Sequence, residues 1–194
     1  MNHLILASAS PYKQDLLSRL NLNFKVQSPN IEEVAPEEEM PATTAKRLSL
    51  MKARLVAKSN PGSVVIGTDQ VAELNGLPIN KPGTHQSAVE QLTQQSGQTV
   101  LFHTGLAVVR YNPIGEAECF GSINTTRVRF RHLEYTDIES YLRSETPYDC
   151  AGSFKAEGLG ISLFEQIDSS DPTSLIGLPL IELCSIFRKI GINL

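Results

Sequence analysis

The chain has 194 residues, 41% of them hydrophobic and 20% charged, close to an average soluble globular protein and far from disordered, collagen-like or coiled-coil compositions. That length leads to an expectation of one domain or a tight two-lobed unit, with a core large enough to need no disulfide or metal staple. Lys and Arg number 17 against 21 Asp and Glu, a net charge of -4, which excludes a protein built to coat nucleic acid or an anionic membrane, so any phosphate must be met by a local cluster of cations.

The run Leu4-Ile5-Leu6-Ala7 reads as a buried strand, and Ser10-Pro11 as a helix cap followed by proline at the first helical position. The helix carries Leu16, Leu17 and Leu20, and Phe24 to Ser28 alternates as a second strand. From Glu32 to Glu39 five of eight residues are acids, a loop composition. Pro41 opens a long helix with apolar positions Ala45, Leu48, Met51, Leu55 and Val56, which puts Lys46, Arg47, Lys52 and Lys58 on or beside its polar flank. Ser63 to Gly67 is a β-branched run, expected to be a central strand that delivers Thr68-Asp69-Gln70 at its carboxyl end.

Asn75-Gly76 is a strong hairpin signal and leaves Lys81-Pro82 in the connection that follows. A helix is expected from Thr84 to Ser96, stopped by Gly97, and Gln98–Tyr111 and Cys119–Leu133 should form a long antiparallel hairpin around Asn112-Pro113-Ile114-Gly115. Thr136 to Glu139 reads as a capping box for another helix. A small-residue loop from Cys150 to Gly160, a strand from Ile161 to Ile167, a turn at Asp171-Pro172 and a helix from Pro179 to Gly191 complete the chain.

Cys119, Cys150 and Cys184 make no C-x-x-C pair, and the amino-terminal apolar run stops at Ser8, well short of a signal core or a membrane span. A cytoplasmic protein with no membrane attachment is expected. His3, His85, His103 and His132 share no metal-ligand spacing and receive no role. Arg127, Arg129 and Arg131 alternate with Val128 and Phe130, the pattern of a hairpin's wet face more than of a nucleic-acid stripe.

Chemistry gathers at the strand ends. Ser8, Ser10 and Lys13 stand where the first strand meets a helix N-terminus, a place that suits either an anion or an ordinary helix cap. Lys52 and Lys81 are further lysines at stations that suit oxyanions. Asp69, after a continuous apolar strand, could hold a divalent cation, orient a water or cap the next turn. Glu32 and Glu33 either join it around a hard cation or belong to a solvated acidic loop. Magnesium and manganese suit such carboxylates combined with phosphate oxygens.

Together, Leu4-Ile5-Leu6-Ala7-Ser8-Ala9-Ser10-Pro11, Glu32-Glu33, Lys52-Ala53, Ile66-Gly67-Thr68-Asp69-Gln70, Lys81-Pro82, His103-Thr104-Gly105 and Cys150 through Gly158 resemble the Maf nucleotide pyrophosphatases, a likeness that runs on to Gly177-Leu178-Pro179-Leu180. The resemblance implies one Maf-like domain with a mixed α/β fold, an elongated curved sheet with flanking helices forming a cleft between two lobes, commonly in a homodimer. It implies cleavage of a nucleoside triphosphate between the α and β phosphates with a divalent metal. By position, Asp69 would accept the proton of the attacking water, Ser8, Ser10, Lys13, Lys52 and Lys81 would hold the triphosphate, and Glu33 would join Asp69 at the metal.

Members active on pyrimidine nucleotides carry arginines after the Ser-Pro, a threonine after the Asp and a glutamine in the later loop, where this chain has Tyr12, Lys13, Gln70 and Glu157. These resemble the branch that hydrolyses 7-methyl-GTP. Methylation at N7 makes guanine cationic, so Tyr12 or Phe154 could supply an aromatic face, and Glu157 could accept the N1–H and exocyclic amine as a bidentate pair. A broader pyrophosphatase of UTP, dTTP and CTP, or a nucleotide-binding regulator of cell division, are the alternative readings.

Overall fold

The computed structural model describes residues 3–31, 36, 39–111 and 115–194. Its strands are β1 (Leu4–Ala7), β2 (Phe24–Val26), β3 (Val64–Leu74), β4 (Leu77–Ile79), β5 (Thr99–Tyr111), β6 (Ala117–Phe130) and β7 (Phe164–Asp168). Its helices are α1 (Pro11–Ser18), α2 (Pro41–Lys58), α3 (His85–Gln95), α4 (Tyr135–Glu145) and α5 (Leu180–Lys189), with 3-10 turns at Leu159–Leu163 and Ser174–Ile176. The fold is mixed α/β, a sheet in the order β2-β1-β3-β5-β6-β7 with β4 also paired to β3. β2, β1 and β3 run parallel, and the remaining pairs are antiparallel.

β3 and β5 are long enough to serve two cores. Toward one end, Val64, Ile66, Leu106 and Val108 pack under α1 and α5 while Val65, Ala107 and Val109 face α2. Toward the other, Ala72, Val100 and Phe102 join residues of α3, α4 and the aromatic group Phe130, Phe154 and Phe164. The four rings meet edge to face, with centroids 4.8–5.8 Å apart, the geometry their quadrupoles favour.

The seam between the cores lies on β3. One side of this strand is covered continuously by β5, but β1 pairs only through Gly67 and β4 only from Ala72. Among the described residues, 68–71 therefore have no strand partner on that side, and the sheet opens there. Asp69 sits in mid-strand, not at a carboxyl end as the apolar run predicts; it is β1 that ends at this level. The β-branched pattern locates a strand's start well, but the pairing partners on β5 decide how far it continues.

Helix α2 is rotated relative to its apolar periodicity. Met51 and Leu55 are 40% and 42% exposed, whereas Ala45, Ser49, Lys52 and Ala53 turn inward. The cause is close packing: a Cβ on Gly67 would lie 2.7 Å from the Ala53 amide nitrogen, and one on Gly105 would lie 2.7 Å from the Ala45 carbonyl carbon. Two strand glycines thus let the helix backbone settle directly on the sheet, and the small helical residues follow it inward. Lys52, expected on the polar flank, is buried with them.

Elsewhere the Asn75-Gly76 turn is present, with φ of 53° and 83°, and the helix after Thr84 is capped by that residue's side chain. Helix α4 begins earlier than the predicted box, because the Asp137 carboxylate reaches back to the Glu134 N–H at 3.1 Å. The strand expected from Ile161 begins instead at Phe164, after a 3-10 turn, and Arg127, Arg129 and Arg131 are exposed, with Arg129 paired to Glu165. The turn predicted at Asn112 to Ile114 lies outside the described residues.

Candidate active site

The opening beside residues 68–71 is a cleft of about 480 Å³. Its walls bring together Ser8, Ser10, Tyr12, Lys13, Lys52, Asp69, Gln70, Lys81 and Glu157, every candidate residue except Glu33, which lies outside the described residues together with Glu32. Of the five-acid run Glu39 is described. It holds the start of α2 through a two-pronged ion pair with Arg47, 2.7 Å for each contact, and accepts from Thr44 at 2.8 Å.

Each wall places its side chain for a local reason. β1 stops at Ala7, so Ser8 and Ser10 fall at the entry to α1, where the Ser8 Oγ accepts the Ser10 N–H at 3.1 Å and Pro11 occupies the first helical position. One turn into α1, Lys13 donates to the Thr68 carbonyl at 3.2 Å, an ammonium taking up part of the bare strand edge. The buried inner face of α2 brings Lys52 to Asp69 at 2.5 Å, both side chains being about one-tenth exposed. Lys81 is exposed and reaches the cleft from the connection after β4. Its loop is tied across by the Gly83 N–H donating to the Tyr148 carbonyl at 3.0 Å.

Gln70 has a different posture from its neighbour. Its amide nitrogen is within bonding distance of the Ser174 and Leu175 carbonyls at 2.9 and 3.1 Å and of Thr104 Oγ1 at 3.0 Å. Thr68 donates to the Gly177 carbonyl at 2.7 Å and Thr104 to that of Ser174 at 2.9 Å. These three side chains fix the 174–177 turn that closes one wall, so Gln70 shapes the cleft while its carboxamide nitrogen is held by the wall itself.

Residues 149–157 form the far wall. Phe154 is a core side chain whose ring also reaches the cleft, and Tyr12 faces this wall beside the Lys155 ammonium. Burial, followed by the nearby Cys150 and Asp149, raises the Tyr12 phenol above its ordinary value. Cys150 is pushed up to about 12, by burial first and then by Asp149. Asp149, Cys150 and Lys155 line the cleft without having been singled out from the sequence. Cys150 and Lys155 fall within the stretch from Cys150 to Gly158 that carries the family resemblance, which names no role for them, and Asp149 lies just before it in a loop with no periodicity.

The cleft therefore has two chemical ends. Around Asp69 stand Ser8, Ser10, Lys13 and Lys52, a set suited to several anionic oxygens beside one carboxylate. Beside Tyr12 stand Asp149, Cys150 and Lys155, and Phe154 and Glu157 line the same cleft, so carboxylates and aromatic faces are available to a flat group bearing hydrogen-bond donors. Among the described residues no three His, Cys, Asp or Glu side chains are placed to hold a metal ion by themselves. A single carboxylate facing an oxyanion pocket suits magnesium or manganese shared with a phosphate ligand, and not a closed zinc site.

The family model for Maf-like proteins matches residues 3–190. The chain is 53% identical over 191 residues to a 7-methyl-GTP pyrophosphatase of Polaromonas sp., covering 98% of this chain and 86% of that one. It is 49% identical over 190 residues to the protein of that name from Albidiferax ferrireducens, covering 98% and 94%, and 47% identical over 194 residues to that from Xanthomonas axonopodis, covering both completely. Among solved structures, a HAM1 protein from Coxiella burnetii shares the fold with a TM-score of 0.56 at 16% identity, covering 97% of this chain and 100% of that one.

Proposed function

Since the chain belongs to the Maf-like protein family, we propose that it is a pyrophosphatase that hydrolyses 7-methyl-GTP to 7-methyl-GMP and pyrophosphate, clearing a modified nucleotide from the pool. The observation that carries the proposal is the convergence of Asp69, Lys13, Lys52 and Lys81 from four separate segments on one gap in the sheet. Relatives that carry this activity in their names, about half identical over nearly the whole chain, support it.

In this reading the triphosphate lies along the lysine end, held by Ser8, Ser10, Lys13, Lys52 and Lys81. Asp69 accepts the proton of a water aimed at the α phosphorus, in line with the departing pyrophosphate. The Lys52 ammonium holds that carboxylate in place at 2.5 Å. The lysines neutralise charge that accumulates on the leaving group. Asp69, joined by Glu33, would hold a magnesium or manganese ion, which supplies further neutralisation of the phosphate oxygens when bound. The base lies at the other end, where Tyr12 or Phe154 faces the cationic ring and Glu157 accepts from the guanine edge.

The same reading places the enzyme in the cytoplasm as a homodimer acting on free nucleotides, with neither nucleic acid nor membrane as a stable partner. No described helix is long and apolar enough to cross a membrane.

The test is to incubate the purified protein and magnesium with 7-methyl-GTP, GTP, UTP, dTTP and CTP, measuring pyrophosphate and orthophosphate separately. The expected result is pyrophosphate, released fastest from 7-methyl-GTP. Orthophosphate as the first product, or equal rates across the panel, would overturn the assignment of bond or of substrate.

A further inference from the structure

Glu157 owes its place to a residue that does not itself line the cleft. Among the described residues no side chain hydrogen-bonds the Glu157 carboxylate, and the residue is exposed on the loop between Lys155 and Leu159. Both ends of that loop are tied to Glu145, the last residue of α4. The Lys155 ammonium donates to the Glu145 carbonyl at 3.1 Å, capping the helix C-terminus where its dipole favours a cation. The Leu159 N–H donates to Glu145 Oε1 at 2.9 Å. Between the two ties, the Gly158 N–H closes a turn onto the Lys155 carbonyl at 3.3 Å.

Gly158 shows how closely this turn wraps the carboxylate. A Cβ there would stand 2.9 Å from both Glu145 carboxylate oxygens, so any larger residue would push the side chain or the loop aside. Its φ of -116° is open to any residue, so the requirement is space and not backbone conformation. The Lys155 N–H, donating to the Tyr141 hydroxyl at 3.0 Å, adds a further tie to α4. Residues 156–158 are thus a short arch over Glu145, with Glu157 at its crown facing the cleft.

We propose that Glu145 is a positioning residue for substrate selection: its carboxylate holds the Leu159 end of the 155–159 arch so that Glu157 meets the base at the right distance. The inference rests on the reading of Glu157 as the group that accepts from the guanine edge. A paired carboxylate acceptor is effective only when its geometry is set in advance, because a loose loop must be ordered at the cost of binding free energy.

The experiment compares kcat and KM for 7-methyl-GTP and UTP in the wild type, E157Q, E145A, E145Q and E145A/E157Q, with thermal unfolding measured on each. In E145A we expect KM for 7-methyl-GTP to rise about tenfold, the scale of one charge-assisted hydrogen bond, with UTP kinetics unchanged. E145Q keeps an oxygen for the Leu159 N–H and should stay near the wild type. The double variant should be no worse than E157Q, since both act through one contact. Should E145A fail to fold, G158A displaces the same carboxylate from the loop side, and it must show the same KM shift. If E157Q loses the preference while E145A and G158A keep it, or if E145A slows both substrates equally, the inference falls and the function stands. A wild type without preference for 7-methyl-GTP overturns both.

Discussion

Lys52 and Asp69 meet at 2.5 Å although 17 residues separate them and they belong to different elements. The pair forms because α2 lies directly on Gly67 and Gly105, so a lysine from the inner helix face reaches β3 at the level where its pairing with β1 has ended and that with β4 has not begun. A charged pair at this depth is costly to break, because the remaining partner keeps its desolvation penalty without its compensation.

Replacing Asp69 with Asn should lower turnover by a factor on the order of 10²–10⁴ through loss of the proton acceptor, leaving nucleotide binding measurable by calorimetry. Lys52→Met should destabilise the fold by about 3 kcal/mol, the lower end for a broken buried pair since the cleft admits solvent. K52M/D69N should recover part of that loss in urea denaturation, while remaining inactive. Equal stability of the single and double variants would contradict the pairing.

Gly105→Ala tests the seat of α2. The added methyl meets the Ala45 carbonyl group, and overpacking of this kind costs about 1–3 kcal/mol. A lower urea midpoint is expected, accompanied by reduced kcat because the helix that carries Lys52 must lift. An unchanged midpoint would show that the helix has room to move.

Cys150 provides a pH test of the far wall. Its thiol is pushed up to about 12 from 9.0 by burial and by Asp149, so near pH 8 the thiolate fraction is roughly a thousandfold below that of an ordinary cysteine. Alkylation of Cys150 should trail that of exposed Cys119, and Asp149→Asn should speed it. For stability the sign follows from proton binding: between pH 9 and 12 the unfolded chain ionises this thiol first, so its contribution is complete below 9 and is lost as the pH rises. Alkylation of Cys150 as fast as that of Cys119 at pH 8 would refute the buried setting.

Removing divalent ions with a chelator should abolish pyrophosphate release, and magnesium or manganese should restore it. Because the carboxylate set suits an ion shared with the phosphates, melting temperature should change little with metal alone and rise when metal and nucleotide are added together. A large shift with metal alone would indicate a site complete without substrate.

Much of this protein was legible in its sequence because the signals were local. Four apolar residues ending at Ser8, an Asn-Gly turn, a proline-led helix and a Gly-terminated one each depend on neighbours within a few positions, and the structure has all of them. The candidate residues could likewise be named from segments such as Leu4 to Pro11 and Ile66 to Gln70, since each carries its own pattern. What those segments could not disclose was which way α2 faces, how far β3 continues, or why Glu157 is held where it is. Helix rotation is decided by strand glycines far along the chain, strand length by partners on β5, and the arch at Glu145 by contacts between two ends of a loop. All three depend on packing between segments distant in sequence, where excluded volume and paired hydrogen bonds overrule periodicity, and such contacts exist only once the chain has folded.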